Sequence, residues 1–166
     1  MKSKKLIWDP QRNVAESAKE KLPKLASEFF AAGRRASRGK IKTKRLHEFR
    51  LLAKRFRYTL ELFRPIYGPS FDKRLTQLRR LQSHLGKIND CSASRALLEQ
   101  TRRKGKMYPK QKKVLRLLKR GERERIEKFL AFWPESFDAP GEEQRWVRYL
   151  RDYAGRGRGT AVPSDD

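Results

Sequence analysis

Apolar residues recur along this chain at intervals of three and four, and nowhere do they alternate with polar ones in the two-residue rhythm of a half-buried strand. The pattern predicts an all-α protein. A first helix is expected to start at "WDPQ", with Asp9 as cap and Pro10 at the first helical position. Its Leu22, Leu25, Ala26, Phe29 and Phe30 share one side; Pro23 is expected to kink it and Gly33 to end it. Residues 34–43, "RRASRGKIKT", read as a basic loop, and Thr43 as the cap of a second helix that Pro65 stops near Phe63 or Arg64. After the turn "PIYGPS", Ser70 caps a third helix ending near Gly86. "GKINDCSAS" reads as a short break, with Asn89 or Asp90 capping a fourth helix to about Arg103. After the loop "KGKMYP", a fifth helix runs from about Lys110 to Trp133. Val114, Leu115, Leu118, Ile126, Phe129, Leu130 and Trp133 form its broad apolar side, and Gly121 weakens its middle. "PESFDAPG" reads as a linker, "EEQRWVRYLRDY" as a sixth short helix and "AGRGRGTAVPSDD" as a disordered tail.

At about 100° per residue, the second helix sorts into two sides. Leu46, Phe49, Ala53, Phe56, Leu60 and Phe63 cluster on one, widened by Leu52. His47, Arg50, Lys54 and Arg57 are placed opposite, with Glu61 joining them. At ~1.5 Å per residue the cationic row is about 15 Å long. The third helix repeats the layout: Leu75, Leu78, Leu81 and Leu85 on one side, Lys73, Arg80, His84 and Lys87 on another, Gln77 between the cations. Both histidines of the chain thus sit on cationic faces.

Composition sharpens this picture. The 166 residues hold 43 Lys and Arg against 19 Asp and Glu, a formal net charge of +24. Self-repulsion on that scale points to a polyanionic partner. A Lys/Arg-rich helix face is commonly just solvated. Three features argue for more here: the row is Arg-rich and suited to bidentate oxyanion contacts, few acids stand at i+4 to neutralise it, and no other segment balances the charge. The single cysteine, Cys91, forbids an intrachain disulfide and a multi-cysteine zinc cluster and fits a reducing cytosol. No secretory signal is evident at the N-terminus, and no run approaches the ~20 apolar residues of a membrane span.

A metal set of His47, His84 and Cys91 is disfavoured by the cations around it, so no metal and no cofactor is expected. An imidazole among Arg and Lys should have its charged form disfavoured, and a bound polyanion should reverse this. Anion affinity is therefore expected to rise between about pH 7.5 and pH 5.5 through His47 or His84. No glycine-rich phosphate loop or clustered carboxylate site is present, so a phosphate-transfer enzyme is not the reading.

The stretch "LHEFRLLAKRFRYTLELF" followed by "LQSHLGKIND" resembles the CHAD domain, the conserved histidine α-helical domain. His47, Arg50, Lys54, Arg55, Arg57 and Tyr58 match its H-x-x-R-x-x-x-K-R-x-R-Y helix. Leu81, Gln82, Leu85, Gly86, Asn89 and Asp90 match its L-Q-x-x-L-G-x-x-N-D segment. The resemblance covers residues 8–135, leaving 136–166 as a short helix and basic tail. It implies a non-catalytic, cytoplasmic module that binds inorganic polyphosphate through Lys, Arg and His, in some members at polyphosphate granules. The residues expected to bind are His47, Arg50, Lys54, Arg55, Arg57, Tyr58, Lys73, Arg80, His84 and Lys87. Gln82, Asn89 and Asp90 read as turn and cap residues. The family pattern holds two similar four-helix bundles, and this chain has room for one, resembling the second half. Two chains pairing as a homodimer would rebuild the two-bundle channel. Nucleic acid, RNA in particular, is the main alternative ligand, weakened because Phe49, Phe56 and Phe63 lie on the apolar side and offer no stacking platform. A plain structural role in a basic assembly is a further alternative.

Overall fold

The ring of Phe29 lies against five others, those of Phe30, Phe49, Phe56, Trp133 and Phe137, with centroids 4.9–5.8 Å away. The helices that deliver these rings were located in a computed structural model, which describes residues 13–101 and 108–155. They are α1 (Val14–Ser37), α2 (Thr43–Leu62), a one-turn α3 (Arg64–Tyr67), α4 (Phe71–Gln100), α5 (Pro109–Ser136) and α6 (Glu142–Asp152). Among the described residues there is no strand. The fold is all-α, as the periodicity predicts.

Around the core α1 packs on α2, α2 on α4 and α4 on α5. Only the C-terminal end of α5 reaches α1; further along, α6 covers α1 instead. The fourth position of the bundle is thus shared by two helices. Pairing fixes the level at which α5 crosses. The Thr43 hydroxyl at the start of α2 donates to the Glu122 carboxylate at 3.1 Å, and the Trp133 indole lies against Gly33. Residues 109–121 of α5 and the last ten or so of α4 therefore extend past the start of α2 as a two-helix hairpin.

Several expected boundaries move, each for a physical reason. The expected start at Asp9 and Pro10 lies outside the described residues, where no cap can be assigned. Asn13 caps α1 as described, accepting the Ala15 N–H at 2.9 Å. Gly33 does not end α1, which runs on to Ser37, so residues 34–37 are helix rather than loop. Its hydrogen is required by a neighbour: a Cβ there would sit 1.9 Å from Trp133 Cη2. Thr43 is the first residue of α2 and not its cap, because its hydroxyl is engaged by Glu122. Ser70 makes no capping bond; its hydroxyl pairs with that of Tyr149 at 2.8 Å.

The largest departure is that the expected third and fourth helices are one. α4 crosses Gly86 and "NDCSAS" without interruption. A glycine inside a helix costs only about 1 kcal/mol. Burial of Leu81, Leu85 and Ile88 on the same side as Leu75 and Leu78 outweighs that cost. The sixth helix is present and integral: Trp146 and Leu150 are fully buried in the same core. The Tyr67 hydroxyl donates to the Leu150 carbonyl at 2.7 Å, and the Gly155 N–H donates to Ile66 O at 2.9 Å. Burial pushes the Tyr67 phenol well above its ordinary range, with Tyr149 adding to the shift, which keeps it a donor.

Gly33→Ala tests the close approach. Overpacking Trp133 is expected to lower the unfolding free energy in urea by about 1–3 kcal/mol, even though alanine is the better helix former by about 1 kcal/mol. An unchanged urea midpoint would show that the contact is slack.

Candidate functional site

α2 presents its cationic row to a neighbouring helix and not to open solvent. Its buried positions Leu46, Phe49, Ala53, Phe56 and Leu60 define one direction. At about 100° per residue the row of His47, Arg50, Lys54 and Arg57 is centred roughly 100° from that direction. The side truly opposite the core carries Leu51, Tyr58 and Leu62, which are 50%, 46% and 79% exposed. The expectation of an opposite face is corrected on this point: a row set a quarter-turn off the core lies along the seam with α4.

Across that seam the two sequence motifs meet. His47 Nδ1 lies 2.8 Å from Asn89 Oδ1. The amide oxygen only accepts, so Nδ1 carries the proton and Nε2 is left available. Arg57 Nε donates to Gln82 Oε1 at 2.8 Å, and Gln82 Nε2 donates to Ala53 O at 3.2 Å. Arg57 also pairs with Glu61, which Arg79 reaches at 3.2 Å. Gln82 and Asn89 are thus not turn or cap residues. They stand seven apart on one flank of α4, at the spacing that returns to the same side after two turns. From there they orient the cations of α2.

Between Gln82 and Asn89 lies Gly86, where a Cβ would meet nothing within 4 Å. Arg50 is half-buried and Lys54 exposed in the same row, and among the described residues neither has an ion-pair partner. Tyr58 acts as a rest for the row: Arg57 Cζ stands 4.3 Å and Lys54 Nζ 5.6 Å from its ring centroid. Such contacts are worth about 0.5–1 kcal/mol at exposed sites and hold the two cations together. At the upper end, Lys44 and His47 edge a cleft of about 340 Å³ floored by Leu85, Ile88, Ser92 and Ala96. The first turn of α2 holds no acid of its own and no side-chain cap, and the anion beside that end is the Glu122 carboxylate of α5, 3.1 Å from the Thr43 hydroxyl.

The structure does not gather all ten expected residues. Arg55 faces the other side of α2 and lines a groove of about 1050 Å³ between α1 and α2, with Arg35 and Arg45. His84 turns toward α5 and stacks on Phe132, with centroids 4.7 Å apart. His84 stands two positions after Gln82, which at ~100° each places their side chains about 160° apart on the helix. Lys73, Arg80 and Lys87 are exposed on α4 away from the seam. The two histidines therefore do not share one surface, and the cation of α4 that reaches the row, through Glu61, is Arg79, a residue outside the expected set. Among the described residues no group of three or more His, Cys, Asp or Glu is gathered as a metal site would require. Among them, too, no helix is long and apolar enough to cross a membrane.

The family model of the CHAD domain matches residues 3–99, which include both motifs and the whole seam. No curated protein and no solved structure matches the chain.

Two outcomes follow, one for the seam and one for the histidine that lies apart from it. Gln82→Ala removes the acceptor of Arg57 Nε and the donor to Ala53 O. It should lower stability by about 1–2 kcal/mol while leaving helical circular dichroism intact; a neutral result would show that water replaces the amide. His84 supplies a pH test. Burial, then Lys87 and Lys128, push its imidazole below the ordinary 6.5. The unfolded chain then binds the proton more tightly than the folded one. Stability from this group is complete above that value and is lost as pH falls through the depressed one. His84→Gln should flatten the acid-side decline in unfolding free energy below about pH 6.5, and an identical decline in both proteins would remove the assignment.

Proposed function

The chain belongs to the CHAD domain family, and from that premise we propose that it is an inorganic polyphosphate-binding module, acting by capture and not by catalysis. The observation that carries the reading is the α2–α4 seam. Asn89 and Gln82 hold His47 and Arg57 in fixed orientation, with Arg50 and Lys54 between them. A row of cations braced from behind by uncharged amides keeps its donors directed outward and loses little entropy on binding. Carboxylate braces would compete with the ligand; amides do not. The only acid in the row, Glu61, stands at its lower end and is shared by Arg57 and Arg79.

Family association with polyphosphate and triphosphate-tunnel proteins supports the choice of ligand. Burial of Phe49, Phe56 and Phe63 also favours an unbased polyanion over RNA, since the row offers bases no exposed aromatic except Tyr58, which already lies beneath two cations. The path is proposed to run from Arg57 up α2 to His47 and Lys44 at the edge of the cleft. We extend the proposal to a homodimer that supplies the second bundle of the family pattern, and to a cytoplasmic location at polyphosphate granules.

Competition tests the ligand. Labelled polyphosphate bound at moderate salt should resist RNA and DNA of equal charge, and displacement by RNA on equal terms would defeat the reading. Arg50→Ala combined with Arg57→Ala should weaken binding by ~10-fold or more, as expected for lost charge-assisted hydrogen bonds. It should also make the decline of affinity with salt shallower. Unchanged affinity with intact circular dichroism would move the site elsewhere. Light scattering in the presence and absence of polyphosphate reports the dimer; a monomer in both removes it.

A further inference from the structure

We propose that the first half of α5 is a second polyanion-binding surface, built from Lys112, Arg116, Lys119 and Arg123, and that the ligand it holds stabilises this half of the helix. The proposal rests on the polyphosphate reading for its ligand class, a linear chain of phosphate oxyanions, but not on the α2 row.

Residues 109–121 contain six Lys and Arg and no acid. Four cations, Lys112, Arg116, Lys119 and Arg123, recur at i, i+4, i+7 and i+11, which makes a single row about 17 Å long at ~1.5 Å per residue. All four are exposed, and among the described residues none forms an ion pair. Two of the nearby acids are committed elsewhere, while Glu127, exposed, stands four residues on from Arg123 at the end of the row. Glu122 is buried between Arg95, at 3.1 Å, and the Thr43 hydroxyl, and Glu124 pairs with Arg120 at 2.9 Å. The α4-facing side of α5 is marked by Gly121, beside Cys91, and by Phe132, beneath His84. At ~100° per residue the cationic row lies roughly opposite that side, so α4 does not cover it.

This half of α5 is also weakly held. Leu115 is its one buried apolar side chain, while Phe129 and Trp133 anchor the second half. Tyr108, Val114 and Leu117 are 62%, 45% and 59% exposed. Like charges at i+3 and i+4 repel along a helix, and here each row member faces another at one of those spacings, with no acid at either spacing from Lys112 or Arg116. Oppositely charged neighbours, which relieve such repulsion on many solvated helices, are missing around Lys112 and Arg116. An oxyanion chain laid along the row would cancel the repulsion where packing is thinnest. The same side chains would thereby bind the ligand and firm the helix. The family match stops at Glu99, so nothing in the CHAD motifs accounts for this row.

Hydrogen exchange read by mass spectrometry on the full chain tests the proposal, with long-chain inorganic polyphosphate as probe. Amides of residues 109–121 are expected to gain ~10-fold or more protection on binding. Replacing Lys112, Arg116, Lys119 and Arg123 together by Gln should abolish that gain, flatten the salt dependence of affinity and, without ligand, slow exchange in the same segment by relieving repulsion. Arg50→Ala with Arg57→Ala should leave the α5 gain in place. Polyphosphate binding without α5 protection, or a Gln variant with unchanged affinity and salt slope, overturns the second surface alone. Absence of wild-type binding overturns both readings, and protection of the segment by RNA but not by polyphosphate overturns the assigned ligand.

Discussion

The missing side chain at position 33 is the constraint on which the rest of the architecture depends. The Trp133 indole presses against the backbone of α1 there, stacks on Phe137 at 5.2 Å and meets Phe29 and Phe49 edge-on. Its own N–H finds no acceptor among the described residues, so packing alone holds the ring. This contact fixes how far α5 slides along α1. The slide in turn fixes where α4 lies, which of its flanks meets α2, and how much of the hairpin projects. A bundle whose register is set by one aromatic wedge behaves as a discrete packing, because interiors at crystal-like density do not deform smoothly.

On that frame the polar chemistry is arranged by subtraction. In a protein so rich in cations, charge is abundant and orientation is scarce. The α2–α4 seam supplies orientation with neutral partners, and the half-buried position of Arg57 raises the value of each hydrogen bond relative to bulk water. The exposed outer side of α2 mixes apolar Leu51 and Leu62 with the cations Lys44 and Arg55.

Much of this was legible in the sequence. Periodicity located α2, α5 and α6 to within a few residues, because their apolar positions are dense and their ends carry proline or glycine. The roles of Gly33 and Gly86 were not legible. Locally each looks like a helix terminator, and only the distant Trp133 in one case, and continuous burial of Leu85 and Ile88 in the other, decides otherwise. Asn89 has the same ambiguity. A helix cap and a mid-helix partner of a histidine 42 positions away are spelled with the same letter. The four residues of the row do share one flank of α2, but not the flank expected, since spacing gives an angle between faces and says nothing of which neighbour fills it. The distribution of His84 and Arg55 to other flanks follows from the same gap.

The clasp between α6 and the α3 turn bears on where this fold begins and ends. Tyr149 stacks on Tyr67 and Phe71, its hydroxyl meets Ser70, and the Arg74 guanidinium lies 3.6 Å above its ring. All of these partners fall within the family match, whereas Tyr149 lies fifty residues beyond it. A fragment trimmed at Glu99 would uncover Phe29, Phe30 and Phe56 together, along the whole side that Trp133, Phe137 and Trp146 now close. The recognisable motif and the smallest cooperative folding unit are therefore different lengths of chain. Residues 109–155 serve as the bundle's lid, joined covalently to the part whose sequence names the family.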